Sequence, residues 1–114
     1  VFVPREQGCC GAMQEHLGLN GVEQLREHNH KAFTGAGVDA VVANSSGCGL
    51  ATSKALHGDV PVRDVLDFLG ELPLKQRPRR SDGARVYVDL PCHLVHGQKI
   101  AGIPKSVLDA TGYQ

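Results

Sequence analysis

The run Val38-Asp39-Ala40-Val41-Val42-Ala43-Asn44 constrains the fold more than any other stretch of this sequence. It is short, β-branched and mostly apolar, without the regular polar alternation of a strand that shows one face to water. It therefore reads as a strand buried on both faces. Such a strand needs a covering layer on each side, and helices supply those layers in α/β domains. Helical periodicity flanks it. Upstream, Asn20 to Phe33 places Val22, Leu25, Asn29, Ala32 and Phe33 on one face, with Asn20 as the expected N-cap. Thr34-Gly35-Ala36-Gly37 ends that helix. Downstream, Ser45-Ser46-Gly47-Cys48-Gly49 is expected to form a tight turn into a helix over Leu50 to Leu56.

The remaining elements follow from the same signals. Val1 to Gly11 reads as a strand end and a loop, and Gly11 to Leu17 as a short helix that opens at the paired cysteines. Asp59 is expected to cap a further helix with Pro61 in its first turn and Val62, Val65, Leu66 and Leu69 on its inner face. Residues 73–83 form a polar loop. Ala84 to Leu90 alternates Arg85, Tyr87 and Asp89 against Val86, Val88 and Leu90, a second expected strand that stops at Pro91-Cys92. A last short helix follows Pro104 and runs through Val107 and Leu108 to Gly112. Strand, helix, strand, helix is an α/β order, so the expected architecture is a small parallel sheet with flanking helices.

Size and charge narrow the function classes. A chain of 114 residues permits one small domain's worth of core, and with no Trp, two Tyr and three Phe that core is thin. Twelve basic residues balance twelve acidic ones, which gives no electrostatic case for nucleic acid or an anionic membrane as partner. The cluster Lys75-Gln76-Arg77-Pro78-Arg79-Arg80 reads as a solvated loop rather than a phosphate site. No apolar run approaches the ~20 residues of a membrane span, and no export signal is visible. The sequence opens at Val1 in mid-pattern and stops at Gln114 soon after a new element, so it reads as an internal piece of a longer protein.

Chemistry is carried by four cysteines: Cys9, Cys10, Cys48 and Cys92. They are too few and too unevenly spaced for a secreted disulfide scaffold, and adjacent Cys9 and Cys10 could bridge only through a strained ring. Reduced thiols in a cytoplasmic setting are the expected state. Each site falls in a loop marked by glycine or proline: Gly8-Cys9-Cys10-Gly11, Gly47-Cys48-Gly49 and Pro91-Cys92. In open α/β sheets ligands gather at the carboxyl ends of strands, and flanking glycines let backbone approach a bulky cofactor. Soft thiolates select zinc or iron–sulfur centres. Two readings stay open for Cys48 taken singly, a ligand or a small buried apolar side chain. Cys9-Cys10 between two glycines favours metal or redox chemistry. His93 and His96 read as supporting groups around Cys92 rather than zinc-finger ligands, because the spacing is wrong and no second cysteine pair lies nearby. His16, His28, His30 and His57 read as ordinary surface residues. Gly47-x-Gly49 lacks the third glycine of a dinucleotide loop.

Taken in order, the motifs resemble a known family. They are Glu6-Gln7-Gly8-Cys9-Cys10-Gly11-Ala12, His16-Leu17-Gly18, Asn29, Ser46-Gly47-Cys48-Gly49, Val62-x-Asp64-Val65-x-x-Phe68-Leu69 and Leu90-Pro91-Cys92-His93-Leu94-x-His96-Gly97-Gln98. The sequence resembles the CCG, or cysteine-rich, domain family, and within it the iron–sulfur subunits of glycolate oxidase. That resemblance implies tandem domains, each with an early Cys, a Cys-Cys-Gly and a late Cys-x-x-Cys that together hold an iron–sulfur cluster. On this pattern residues 1–83 are the later half of a first domain and residues 84–114 the opening of a second. Cys9, Cys10 and Cys48 are then cofactor and metal ligands of one centre, and Cys92 of another. One departure stands out: Ser45 occupies the first position of the Cys-x-x-Cys. This leaves open a full cluster, a metal with fewer thiolates or no metal at the first centre, and Cys92 as its substitute fourth ligand.

The implied cofactor is a cluster of the 4Fe–4S type, with zinc as the alternative. The implied role is electron transfer from flavin-binding partner subunits towards a quinone or another acceptor, in the cytoplasm or at the inner face of the membrane. The chain itself is expected to hold no substrate-oxidising site. Lactate utilisation, anaerobic glycerol-3-phosphate oxidation and a structural zinc module are the competing readings.

Overall fold

The structure, a computed structural model, describes residues 1–80 and 82–113. Ser81 in the expected loop and Gln114 lie outside the described residues. In chain order the elements are α1 (Ala12–His16), α2 (Val22–Thr34), β1 (Val41–Ala43), α3 (Ser46–Leu56), β2 (Val62–Asp64), α4 (Val65–Gly70), a π-helical turn (His93–Gly97) and α5 (Lys105–Thr111). The two strands pair in parallel, with Val41 opposite Val62, Val42 opposite Arg63 and Ala43 opposite Asp64. A parallel pair requires a crossover, and α3 provides it. The class is therefore α/β, with a two-stranded parallel sheet and flanking helices.

α3 is the centre of the packing. It contributes Ala51, Ala55 and Leu56 to the core, and Leu56 is the only side chain among the described residues with no exposed surface. Small residues on that face let α2 pack closely against it. Val60, Leu94 and Val107 complete the buried apolar set. The total surface is 7986 Å², against about 6,100 Å² for a folded monomer of this size. The surplus lies largely in the segment from Glu71 to Leu90, where no described residue is buried.

Several expectations are corrected here. The strand expected over Val38–Asn44 forms only at Val41–Ala43, and Val42 is 41% exposed. Side chains alternate between faces along a strand, so Val42 marks a face of β1 that is left uncovered while Val41 and Ala43 lie on the other. The expected strand over Ala84–Leu90 does not form, and Tyr87 stands 99% exposed between Val86 and Val88, which are also exposed. Alternation encodes a half-buried strand, but a strand needs a ladder partner, and the described residues offer it none. Val1–Gly11 contains a turn but no strand.

Helix starts also differ from expectation. α2 begins at Val22 behind Gly21, whose φ of 92° suits glycine, and not at an Asn20 cap. Asp59 caps nothing and instead meets His30 at 2.7 Å. The carbonyl of Pro61 accepts the Val41 N–H at 2.9 Å, which draws residues 62–64 into the sheet and delays the helix to Val65. Asp64 is its cap, accepting the Leu66 N–H at 2.9 Å. The basic cluster is an exposed loop, as expected, with Arg80 paired to Asp82.

Candidate functional site

The carboxyl end of β1 and the amino end of α1 bring two cysteines together. Ser45, extended at φ −132° and ψ 120°, turns the chain out of β1 and opens α3, and its carbonyl accepts the Gly49 N–H at 2.8 Å. Cys48 therefore lies in the first turn of α3, not in a turn ahead of it. The Gly8-Cys9-Cys10-Gly11 loop leads into α1, with Gly11 at the N-cap position and φ 77°. The Cys10 thiol donates to Cys48 Sγ at 3.0 Å, across 38 residues of chain. Glu15 fixes α1 in place, reaching Arg26 of α2 at 2.9 Å and Lys54 of α3 at 2.6 Å.

The glycines around these cysteines do work within the chain. A Cβ on Gly8 would sit 3.1 Å from the His28 ring. One on Gly49 would sit 3.1 Å from Gln98 Nε2 and 3.3 Å from Ala43 Cβ. A Cβ on Gly47 would meet only His93 Nδ1, at an ordinary contact distance of 3.9 Å. Close backbone approach is thus used for packing at Gly8 and Gly49, and Gly47 is the position that leaves room beside Cys48.

Its surroundings keep the Cys10 thiol protonated until a cation arrives. Burial pushes the Cys10 thiol up to about 11, and its hydrogen bond to Cys48 adds to the shift. Repulsion from the neighbouring Cys48 and Cys9 sulfurs also opposes a thiolate at Cys10, so Cys10 keeps its proton near neutral pH. A soft cation replaces that proton, and binding releases it. The pair fits such a cation in chemistry and in reach. Sulfurs on one tetrahedral metal at ~2.3 Å lie roughly 3.8 Å apart, so a small side-chain rotation opens the 3.0 Å contact sufficiently.

Of the four cysteines named from the sequence, the structure brings together Cys10 and Cys48. Cys9 is exposed, and among the described residues no three Cys, His, Asp or Glu side chains gather into a metal-sized group. Cys92 is exposed at the start of the π-helical turn. That turn packs on the amino end of α3: Leu94 is buried, and Gln98 Nε2 donates to the Ser46 carbonyl at 2.9 Å. His93 and His16 meet edge to face with ring centres 6.4 Å apart. With Glu15 and Lys54 they line a cleft of about 330 Å³ beside Gly47. His16 thus belongs to the site's surroundings, although its spacing alone reads as surface.

Sequence reasoning also missed the roles of Asn29 and His28. Asn29 is 3% exposed, and its side chain bonds the backbone of Gly8 and Cys9 at 2.8 Å each. His28 Nε2 meets the Glu6 carbonyl at 2.5 Å. The available signal was a polar residue on the apolar face of α2, where an unpaired amide would be costly.

Residues 1–52 match the cysteine-rich (CCG) domain family. An iron–sulfur protein of Methanocaldococcus jannaschii is 35% identical over 112 residues, which cover 95% of this chain and 22% of that protein. One subunit of the fumarate reductase (CoM/CoB) of Methanothermobacter marburgensis is 33% identical over 116 residues, covering 96% of this chain and 23% of its own length. The glycolate oxidase iron–sulfur subunit of Escherichia coli is 29% identical over 131 residues, covering 99% of this chain and 32% of the relative. The chain thus spans less than a third of the length of each of these relatives. No solved structure matches it.

Proposed function

Residues 1–52 of this chain belong to the cysteine-rich (CCG) domain family, and from that premise we propose that the chain is part of an iron–sulfur subunit that carries electrons within an oxidoreductase complex. The observation that supports this most is the contact of Cys10 with Cys48 at the carboxyl end of β1. A packing role accounts for neither its exposure at Cys48 nor the cleft beside Gly47. An iron–sulfur cluster, when bound, takes up and passes on single electrons. The chain's own part is to present soft donors, surrender the Cys10 proton and shield the donors on the α2 side.

In this proposal Cys9, Cys10 and Cys48 serve one 4Fe–4S centre, with Cys9 turning in from its exposed position, and Cys92 serves a second. Residues 1–83 then belong to a first cysteine-rich domain and residues 84–114 to the next. The relatives' names span glycolate oxidase and a fumarate reductase. We assign this chain to the glycolate enzymes because its motifs resemble that branch and a probable glycolate oxidase iron–sulfur subunit of Bacillus subtilis is 44% identical over 58 residues. Its partners are then flavin-binding subunits and a quinone or other acceptor, in the cytoplasm, where free thiols persist. Among the described residues no helix is long and apolar enough to cross a membrane.

The test is the metal content of the full-length protein purified without oxygen. Iron with acid-labile sulfide is expected, and Cys10→Ser and Cys48→Ser should each lower both while the circular dichroism spectrum holds. Zinc without iron overturns the proposal in favour of a structural metal module. Co-purification with flavin subunits, and bleaching of the visible iron–sulfur absorbance by glycolate, tests the pathway. Iron–sulfur protein that glycolate never reduces in that complex refutes the glycolate assignment alone.

A further inference from the structure

We propose that Asn29, assisted by His28, is a positioning residue that straps the Cys9–Cys10 loop onto α2 and so holds Cys10 ready against Cys48. In its bearing on metal uptake this rests on the iron–sulfur reading above; as a statement about the thiol pair it does not. Asn29 is the most deeply buried polar residue of α2, at 3% exposure. A buried amide is costly unless its donor and acceptor are both used. Here both are used, and on one short stretch of backbone. Oδ1 accepts the Gly8 N–H at 2.8 Å, and Nδ2 donates to the Cys9 carbonyl at 2.8 Å. The side chain thus supplies what a neighbouring strand would supply to an extended segment. The partners also dictate which end of the amide is which, because an N–H must face an acceptor and a carbonyl a donor.

The strap extends to either side. One residue earlier on α2, His28 Nε2 binds the Glu6 carbonyl at 2.5 Å, and its ring lies close against Gly8. Beyond the cysteines, Leu25 and Val22 of the same helix crowd the position of a Cβ on Gly11, at 3.3 Å and 3.7 Å. Cys10 is therefore bracketed by backbone that α2 holds on both flanks. Its side chain is left facing Cys48 at 3.0 Å. Ordering this loop is completed on folding, and a ligand that bridges the two thiols no longer bears that entropy.

The requirement for asparagine is specific. Aspartate keeps an acceptor for Gly8 but turns a carboxylate oxygen towards the Cys9 carbonyl, where a donor is needed. Alanine leaves both backbone groups unpaired.

The test uses the full-length protein, stripped of metal and reduced, with phenylarsine oxide as a probe that chelates two neighbouring thiols. Bound probe protects Cys10 and Cys48 from iodoacetamide, and mass spectrometry reads that protection residue by residue. Asn29→Ala and Asn29→Asp are expected to need at least tenfold more probe for half protection. Val107→Ala, a core truncation in α5, is the control for general destabilisation and is expected to stay within twofold of wild type. Folded Asn29 variants that titrate like wild type overturn the proposal, and so does a Val107→Ala variant that weakens equally. Should the Asn29 variants not fold, His28→Ala decides: about threefold weakening supports the strap, and an unchanged titration overturns it. The probe needs no iron, so the two readings fail separately. An iron-free protein with the expected titration leaves the strap standing, and an iron–sulfur protein with a flat titration leaves only the function standing.

Discussion

Replacing Gly11 with alanine isolates the backbone contribution to the site. Gly11 sits at φ 77° and ψ 4°, immediately after Cys10 and immediately before α1. An L-residue in this left-handed region costs roughly 1–2 kcal/mol relative to glycine. The new Cβ would also lie 3.3 Å from Leu25 Cδ1 and 3.6 Å from Leu25 Cβ. Leu25 Cδ1 is the end of a flexible side chain and can yield a few tenths of an ångström, which adds about 0.5 kcal/mol as an off-rotamer displacement. No side-chain cap bond exists at this position, so none is lost. The sum is about 2 kcal/mol. Urea unfolding followed by circular dichroism measures it. Gly11→Asn is the informative companion, because asparagine tolerates the left-handed region better than alanine does and should recover close to half the loss. A Gly11→Ala variant within about 0.5 kcal/mol of wild type would refute the strain argument. If asparagine costs as much as alanine, crowding by Leu25 and not the backbone angle is the cause, and Gly11→Ala should then cost less in a Leu25→Ala background than in wild type.

Truncating the core and the strand should give unequal results. Leu56→Ala removes a side chain with no exposed surface and should cost roughly 2–5 kcal/mol in urea unfolding. Val42→Ala, expected from the sequence to cost roughly 1–3 kcal/mol, should cost less than about 1 kcal/mol, because Val42 is 41% exposed; equal losses would refute this account of the core. Glu15 should make stability sensitive to acid. The hydrogen bond from Lys54, aided by Arg26, holds its carboxyl below the ordinary value of 4.5. A depressed folded-state value means the stabilisation is present above pH 4.5 and is lost as pH falls through the lower folded value. Glu15 is partly exposed, so the network is worth about 0.2–1 kcal/mol. Wild type should exceed Glu15→Gln by that amount at about pH 6, and the gap should close by about pH 3; a gap independent of pH excludes the ion pairs as its source.

Local signals were read well where the chain's own short-range chemistry settles the outcome. The β-branched run gave a strand, glycines ended helices and Pro104 opened the last helix; the α/β class holds, with Val62–Asp64 and not Ala84–Leu90 as its second strand. Of the cysteines flanked by glycine, Cys10 and Cys48 do meet. Misreadings occurred where the outcome depends on what lies opposite. Ala84–Leu90 has the pattern of a strand and, among the described residues, no edge to join. Asp59 and Asp64 are both competent caps, and the choice fell to Asp64 because the sheet claimed residues 62–64 first. Asn29 belongs to the helical face that the periodicity assigned it, yet periodicity says nothing of the loop folded over that face.

Composition and spacing therefore suffice for the first strand, the helix ends and the polar loops, since each depends on residues within a turn or two of one another. The partner of each thiol, the strap across the Gly8–Cys9 backbone and the position of Cys92 beside α3 depend on contacts between segments roughly 20 to 50 residues apart. Side-chain period records which face is buried, and only packing decides which surface buries it.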